Sequence, residues 1–91
     1  MIHQLLNADP DTLPPVLRAL QLAARGDWHG AHELAQAGND RNSAWVHAYL
    51  HRQEGDQFNA EYWYRRAGRP VFQGSLDAEW NHIADALYTN S

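Results

Sequence analysis

The sequence predicts an all-α domain of five main helices in antiparallel hairpins. Three observations carry that expectation. A short phrase recurs 29 residues on, with Ala19, Gly26-Asp27 and Ala31 reappearing as Ala48, Gly55-Asp56 and Ala60. Glycine suits the left-handed position that ends a helix, and aspartate suits the cap that starts the next one. Apolar residues elsewhere recur at three-and-four spacing, the period of a helix with one buried face. The four tryptophans, Trp28, Trp45, Trp63 and Trp80, fall one to each of the last four helices, a rhythm that suits core anchors.

Composition narrows the classes. Ninety-one residues make a single domain, 1–91, with a core of modest size. At 44% hydrophobic and 20% charged the chain is of the folded, globular kind. Its net charge of −4 lacks the basic footprint of a nucleic-acid binder, although all seven basic residues are arginine. The absence of cysteine excludes a disulfide framework, a thiolate metal site and a thiol nucleophile. Residues 1–10 hold no basic residue and no long apolar run, and no stretch has membrane-spanning length. A cytoplasmic protein with no membrane or nucleic-acid partner is therefore expected.

The elements follow in order. Pro10, Pro14 and Pro15 separate a short amino-terminal segment from the first main helix, which Asp11 or Thr12 can cap. That helix runs to about Arg25 and buries Val16, Ala19, Leu20 and Ala23. The second, about Trp28 to Ala37, buries Trp28, Ala31, Leu34 and Ala35. Gly38 to Asn42 reads as a loop. The third helix, about Ser43 to Glu54, is apolar around most of its circumference, as a central helix is. The fourth, about Gln57 to Ala67, turns Ala60, Trp63, Tyr64 and Ala67 inward and Phe58, Tyr62, Arg65 and Arg66 outward. In the loop that follows, Val71 and Phe72 should fold back onto the body. Ser75 caps the fifth helix, with Asp77 and Glu79 in its first turn and Leu76, Trp80, Ile83, Ala84 and Leu87 as its apolar stripe. A final helix so one-sided reads as a cap on a stack.

Around its Gly-Asp-x-x-x-Ala turns the chain resembles tetratricopeptide-type helical hairpins. The stretch Ala60-Glu61-Tyr62-Trp63-Tyr64-Arg65-Arg66-Ala67 resembles the Ala-x-x-Trp-Tyr-x-x-Ala pattern of Sel1-like repeats. The first copy matches less well, with Ala35 at an aromatic position and Gly38 at a small one. The resemblance covers roughly Leu13 to Arg69, as units of about 13–38 and 43–69 with a capping helix of about 75–88. It implies a right-handed stack and a partner-binding scaffold without catalysis. The 29-residue period is shorter than that of either repeat, and two units fall below the three that usually build a superhelical groove. The stretch Trp45 to Arg69 also resembles a small bacterial and fungal family with a Trp-Val-His-x-Tyr/Leu-Leu-His-Arg core, which implies no activity.

Two constellations carry chemistry. His47 and His51 lie one helical turn apart, a familiar way to present two nitrogen ligands. His32 is placed to add a third, with Glu33 or Asp40 as an oxygen donor. Either these histidines line a ligand or metal pocket, or each bonds a carbonyl, hydroxyl or carboxylate and completes the core. No metal-specific motif decides between them. His29 should be exposed, and His3 and His82 suggest nothing beyond surface. The second constellation is Arg52, Arg65, Arg66 and Arg69 beside Phe58 and Tyr62, an aromatic and cationic face suited to a protein, peptide or anion. Ion pairing with Glu54, Asp56 and Glu61 is the plainer alternative.

Nucleophile motifs and glycine-rich phosphate loops are missing. Ser43, Ser75 and Ser91 read as caps or tail, and all eleven acids have plausible cap or surface roles. The leading expectation is a non-catalytic protein- or peptide-binding module without cofactor. The alternative is a small-ligand or metal-dependent protein, with hydrolysis as a candidate chemistry, built on His47 and His51. Self-association into a homo-oligomer is also open, because a two-unit stack has incompletely covered ends.

Overall fold

Both glycine–aspartate phrases fold as the same bend. In the computed structural model Gly26 and Gly55 take φ angles of 86° and 84°, a region that a Cβ disfavours. The Gly26 N–H donates to the Ala23 carbonyl (3.1 Å) and the Asp27 N–H to the Leu22 carbonyl (2.9 Å). In the second bend Gly55 donates to Arg52 (3.0 Å) and Asp56 to His51 (2.8 Å). Such paired bonds satisfy the last carbonyls of a helix. Each aspartate then opens the next helix, its carboxylate accepting from the Gly30 N–H (3.0 Å) or the Asn59 N–H (3.2 Å). One residue closes a helix with its N–H and starts another with its side chain, so the chain reverses with almost no loop.

The structure describes the backbone of residues 2–88 and the side chains of residues 4–88. The surface and tail readings of His3 and Ser91 lie outside those side chains. Among the described residues every regular element is helical: α1 (Ile2–Asn7), a 3-10 turn (Pro10–Thr12), α2 (Pro15–Ala24), α3 (Trp28–Ala37), α4 (Arg41–Gln53), α5 (Gln57–Ala67) and α6 (Leu76–Tyr88). The five main helices expected from the sequence are α2 to α6.

Two local expectations need correction, and the amino-terminal segment, which the sequence reading assigns to no element, is a helix with Leu5 fully buried. Six residues do not sustain a helix in water by themselves. This one is held because the buried Gln21 donates through Nε2 to the carbonyls of Leu5 (3.0 Å) and Ala8 (2.9 Å). Neither Asp11 nor Thr12 caps α2. The Thr12 hydroxyl turns back to the Asp9 carbonyl (2.7 Å), Asp9 caps the 3-10 turn, and Pro14-Pro15 opens α2 with no side-chain cap. Finally, α4 begins at Arg41, capped by Asp40, and Ser43 sits inside the helix with its hydroxyl on the Asp40 carboxylate (2.5 Å). That hydrogen bond is the main reason the Asp40 carboxyl titrates below its ordinary range.

Helix α4 occupies the centre. It packs against α2, α3, α5 and α6, and every residue from Ser43 to Leu50 is buried. Ala31 and Ala60 have no exposed surface, so neighbouring backbones approach closely. Two indoles stitch the helices together, Trp28 Nε1 donating to the Leu50 carbonyl (2.8 Å) and Trp80 Nε1 to the Leu20 carbonyl (2.8 Å). After α5, Val71 and Phe72 pack half-buried on the core as expected, and the Ser75 hydroxyl caps α6 by accepting from the Ala78 N–H (3.0 Å).

Glu79 departs from the expectation that every acid serves as a cap or surface group. It has no exposed surface, although it also stands in the first turn of α6. It accepts hydrogen bonds from Arg52 Nη1 (2.6 Å) and from the Tyr64 hydroxyl, while Arg52 Nη2 reaches the Gly74 carbonyl (2.8 Å). A carboxylate can be buried when it is paired and bonded in this way. The network ties α4, α5, α6 and the loop before α6 into one body.

Candidate functional site

Three helices bring a cluster of aromatic nitrogens together. α3 carries Trp28 and His32 one turn apart, with ring centres 4.8 Å apart and nearly parallel. α4 carries His47 and His51 one turn apart, stacked at 4.9 Å and 17°. α5 lays Trp63 on the other face of His47, at 3.8 Å and 16°. His32 meets His47 edge-on at 4.6 Å and His51 at 5.6 Å. One ring nitrogen from each of His32, His47 and His51 lies within 4.8 Å of the other two. The structure thus joins the three histidines that the sequence singled out, and leaves His29 exposed on α3. His82 is exposed as well, with its ring 5.6 Å from that of Trp45.

Their polar environments differ. His51 Nδ1 pairs with Glu54 Oε1 at 2.7 Å and lies 3.9 Å from Asp56 Oδ2. Glu54 and Asp56 therefore occupy the place that the sequence reading gave to Glu33 or Asp40, and Asp40 is committed to Ser43. The signal was present, since Glu54 follows His51 by three positions on one helix. His47 is buried, and its Nδ1 has no hydrogen-bond partner. Burial, helped by His32 and His51, draws the His47 pKa down from 6.5 to about 4, so the ring is neutral at neutral pH. His32 is lowered too, by burial first and then by His51.

A second feature lies on the outer side of α5. Among the described residues the exposed large hydrophobics are Phe58, at 80% exposure, and Tyr62, at 41%. They stand at positions i and i+4 of one helix, and Arg66 at i+8 continues the stripe for about 12 Å. Arg66 Nη1 donates to the Tyr62 hydroxyl (3.1 Å), and its guanidinium lies over the Trp63 ring at 5.3 Å. Arg65 is exposed beside it. A depression of about 270 Å³ opens next to Arg66 and Trp63, walled by Gln36, Asp40 and Arg41.

The sequence grouped Arg52 and Arg69 with this face, and the structure places them elsewhere. Arg52 is held by Glu79 and Gly74. Arg69 lies over the Trp45 ring at 3.5 Å, in a recess with Pro70, Val71 and His82. The sequence rhythm marks Trp28 and Trp63 as core anchors, and both do pack against the core. Trp63 also bridges the two features, stacked on His47 and edge-on to Tyr62 at 5.2 Å.

Comparison of the chain with protein-family models, with curated proteins and with solved structures returns no match.

Proposed function

We propose that this domain is a non-catalytic binding module that docks a protein or peptide segment on the outer face of α5, through Phe58, Tyr62, Arg65 and Arg66. The observation that carries the reading is the exposure of Phe58, whose ring stands in water one helical turn from the exposed Tyr62, so that the two form an apolar patch beside Arg66. An exposed aromatic beside arginines is the composition of binding hot spots. The matching segment carries an apolar side chain for Phe58 and Tyr62 and a carboxylate for Arg65 and Arg66. On a chain of net charge −4, Arg65 and Arg66 supply the local positive charge for that carboxylate. The resemblance to tetratricopeptide and Sel1-like hairpins points to the same kind of role, a scaffold for a partner.

Selection of a random peptide library on the immobilised protein tests the proposal. Enriched peptides should combine acidic and apolar residues, and Phe58→Ala and Arg66→Ala should each weaken them by about tenfold or more. Phe58→Ala should leave the melting temperature almost unchanged, because so exposed a ring contributes little to folding. Undiminished binding by both variants sinks the reading. Light scattering gives a further outcome: a concentration-dependent dimer that Phe58→Ala dissolves would replace the peptide with a second copy of the chain.

A further inference from the structure

We propose that His32, His47 and His51 form a binding site for a divalent transition-metal ion of the zinc, cobalt and nickel class. This goes beyond the docking face on α5 and does not depend on it. Three nitrogens within 4.8 Å of one another are nearly the donor set of a three-histidine site. Tetrahedral ligands at zinc–nitrogen distances of about 2.0–2.1 Å stand about 3.3 Å apart, so closure asks for about 1.5 Å of movement at most. Side-chain rotation of His32, which is half-buried, can supply it.

The surroundings distinguish this cluster from ordinary packing. A histidine that merely completes a core has its nitrogens bonded, yet the buried His47 Nδ1 has no partner. His51 is already oriented as a ligand would be: Glu54 holds its Nδ1 at 2.7 Å, which leaves Nε2 as the free donor. A carboxylate on the far nitrogen of a ligating histidine fixes its tautomer and raises its basicity. Two ligands one turn apart on α4 and a third on α3 rest on rigid helices rather than loops. Trp63 covers one face of His47 and Trp28 one face of His32, which excludes water from two sides. An all-imidazole set without thiolate suits borderline ions and not calcium or magnesium. Asp56, 3.9 Å from His51 Nδ1, stands near enough to serve as an outer carboxylate, and the fourth position is left to solvent.

Tag-free protein stripped with chelator and titrated with Co²⁺ tests the site. One equivalent should bind with the visible absorption of a nitrogen-ligated, low-coordinate ion, and Zn²⁺ should displace it and raise the melting temperature. His32→Gln and His51→Gln should each weaken Co²⁺ binding at least about tenfold, and Glu54→Gln by a similar factor. His29→Gln, an exposed histidine on the same helix as His32, should leave it unchanged. The buried His47 stays intact in these variants, so loss of binding does not reduce to misfolding. Failure of the wild-type protein to take up one equivalent of Co²⁺ overturns the site. So does a His29→Gln protein weakened as much as His32→Gln.

Discussion

The His47 imidazole lies face to face with the Trp63 indole, ring centres 3.8 Å apart and 16° from parallel. One residue of the central helix thereby joins the half-buried side of α5, and the three clustered histidines come to share a wall with the proposed docking face. Aromatic ring pairs contribute about 0.5–1.5 kcal/mol beyond area burial. This pair also keeps a titratable ring out of water.

Acid should therefore weaken the metal-free protein earlier than carboxylate chemistry alone would. His47 is drawn to about 4 in the fold by desolvation and by His32 and His51, against 6.5 when unfolded. His32 is lowered in the same direction, opposed by Glu54 and Glu33 and assisted by His29. A depressed folded pKa means that the unfolded chain binds the proton more readily. Stability is thus whole above pH 6.5 and falls as pH drops from there toward 4, by up to about 1.4 kcal/mol per pH unit for one proton. Urea unfolding at pH 7.5, 6 and 5 measures this, and an unchanged midpoint across the series would contradict it.

Arg52 and Glu79 should behave as one unit. Glu79 has no exposed surface, so Arg52→Ala strands a buried carboxylate and should cost about 3–5 kcal/mol. Replacing both together, as Arg52→Met with Glu79→Leu, should recover part of that loss, the remainder being the buried Tyr64 hydroxyl that loses its Glu79 acceptor. Denaturant titration of Arg52→Met, Glu79→Leu and the double variant closes the cycle. Simple additivity would show that the pair is not coupled.

The two bends should tolerate no side chain. Gly26→Ala and Gly55→Ala place a Cβ at φ angles of 86° and 84°, where open space offers no steric clash but the backbone itself is strained. Each should cost about 1–2 kcal/mol, with similar values because the hydrogen bonds are the same. Thermal melts compare them directly. A neutral result at either site would mean that the bend relaxes into another conformation.

Gln21 should control α1 alone. Gln21→Leu removes both hydrogen bonds to the Leu5 and Ala8 carbonyls while keeping the buried volume. Amide hydrogen exchange over residues 2–8 should then rise sharply, with α3 to α5 still protected. Equal exchange in both proteins would show that Leu5 packing and the Arg25 hydrogen bond to the Leu6 carbonyl (3.1 Å) suffice.

Much of the architecture was legible because its signals are local. A glycine followed by an aspartate needs only its own backbone to form a bend, and the caps at Asp27, Asp56 and Ser75 follow from hydrogen bonds three residues long. The pairing of His47 with His51 follows from helical period alone. His32 could be nominated but not placed, since its approach to His47 depends on how α3 packs on α4. Phe58 and Tyr62 were readable as outward-facing from the same period, and Arg65 and Arg66 with them.

By itself the sequence determined that the chain is helical, where it doubles back, and which side of each helix turns inward. The tertiary structure decided the fate of the polar residues on those inward sides. Gln21, Arg52 and Glu79 are ordinary surface residues by type, and each is spent on a partner many positions away. The reason is physical. Apolar burial has a period that one helix displays alone, whereas a buried hydrogen bond requires two separate segments to meet at about 3 Å.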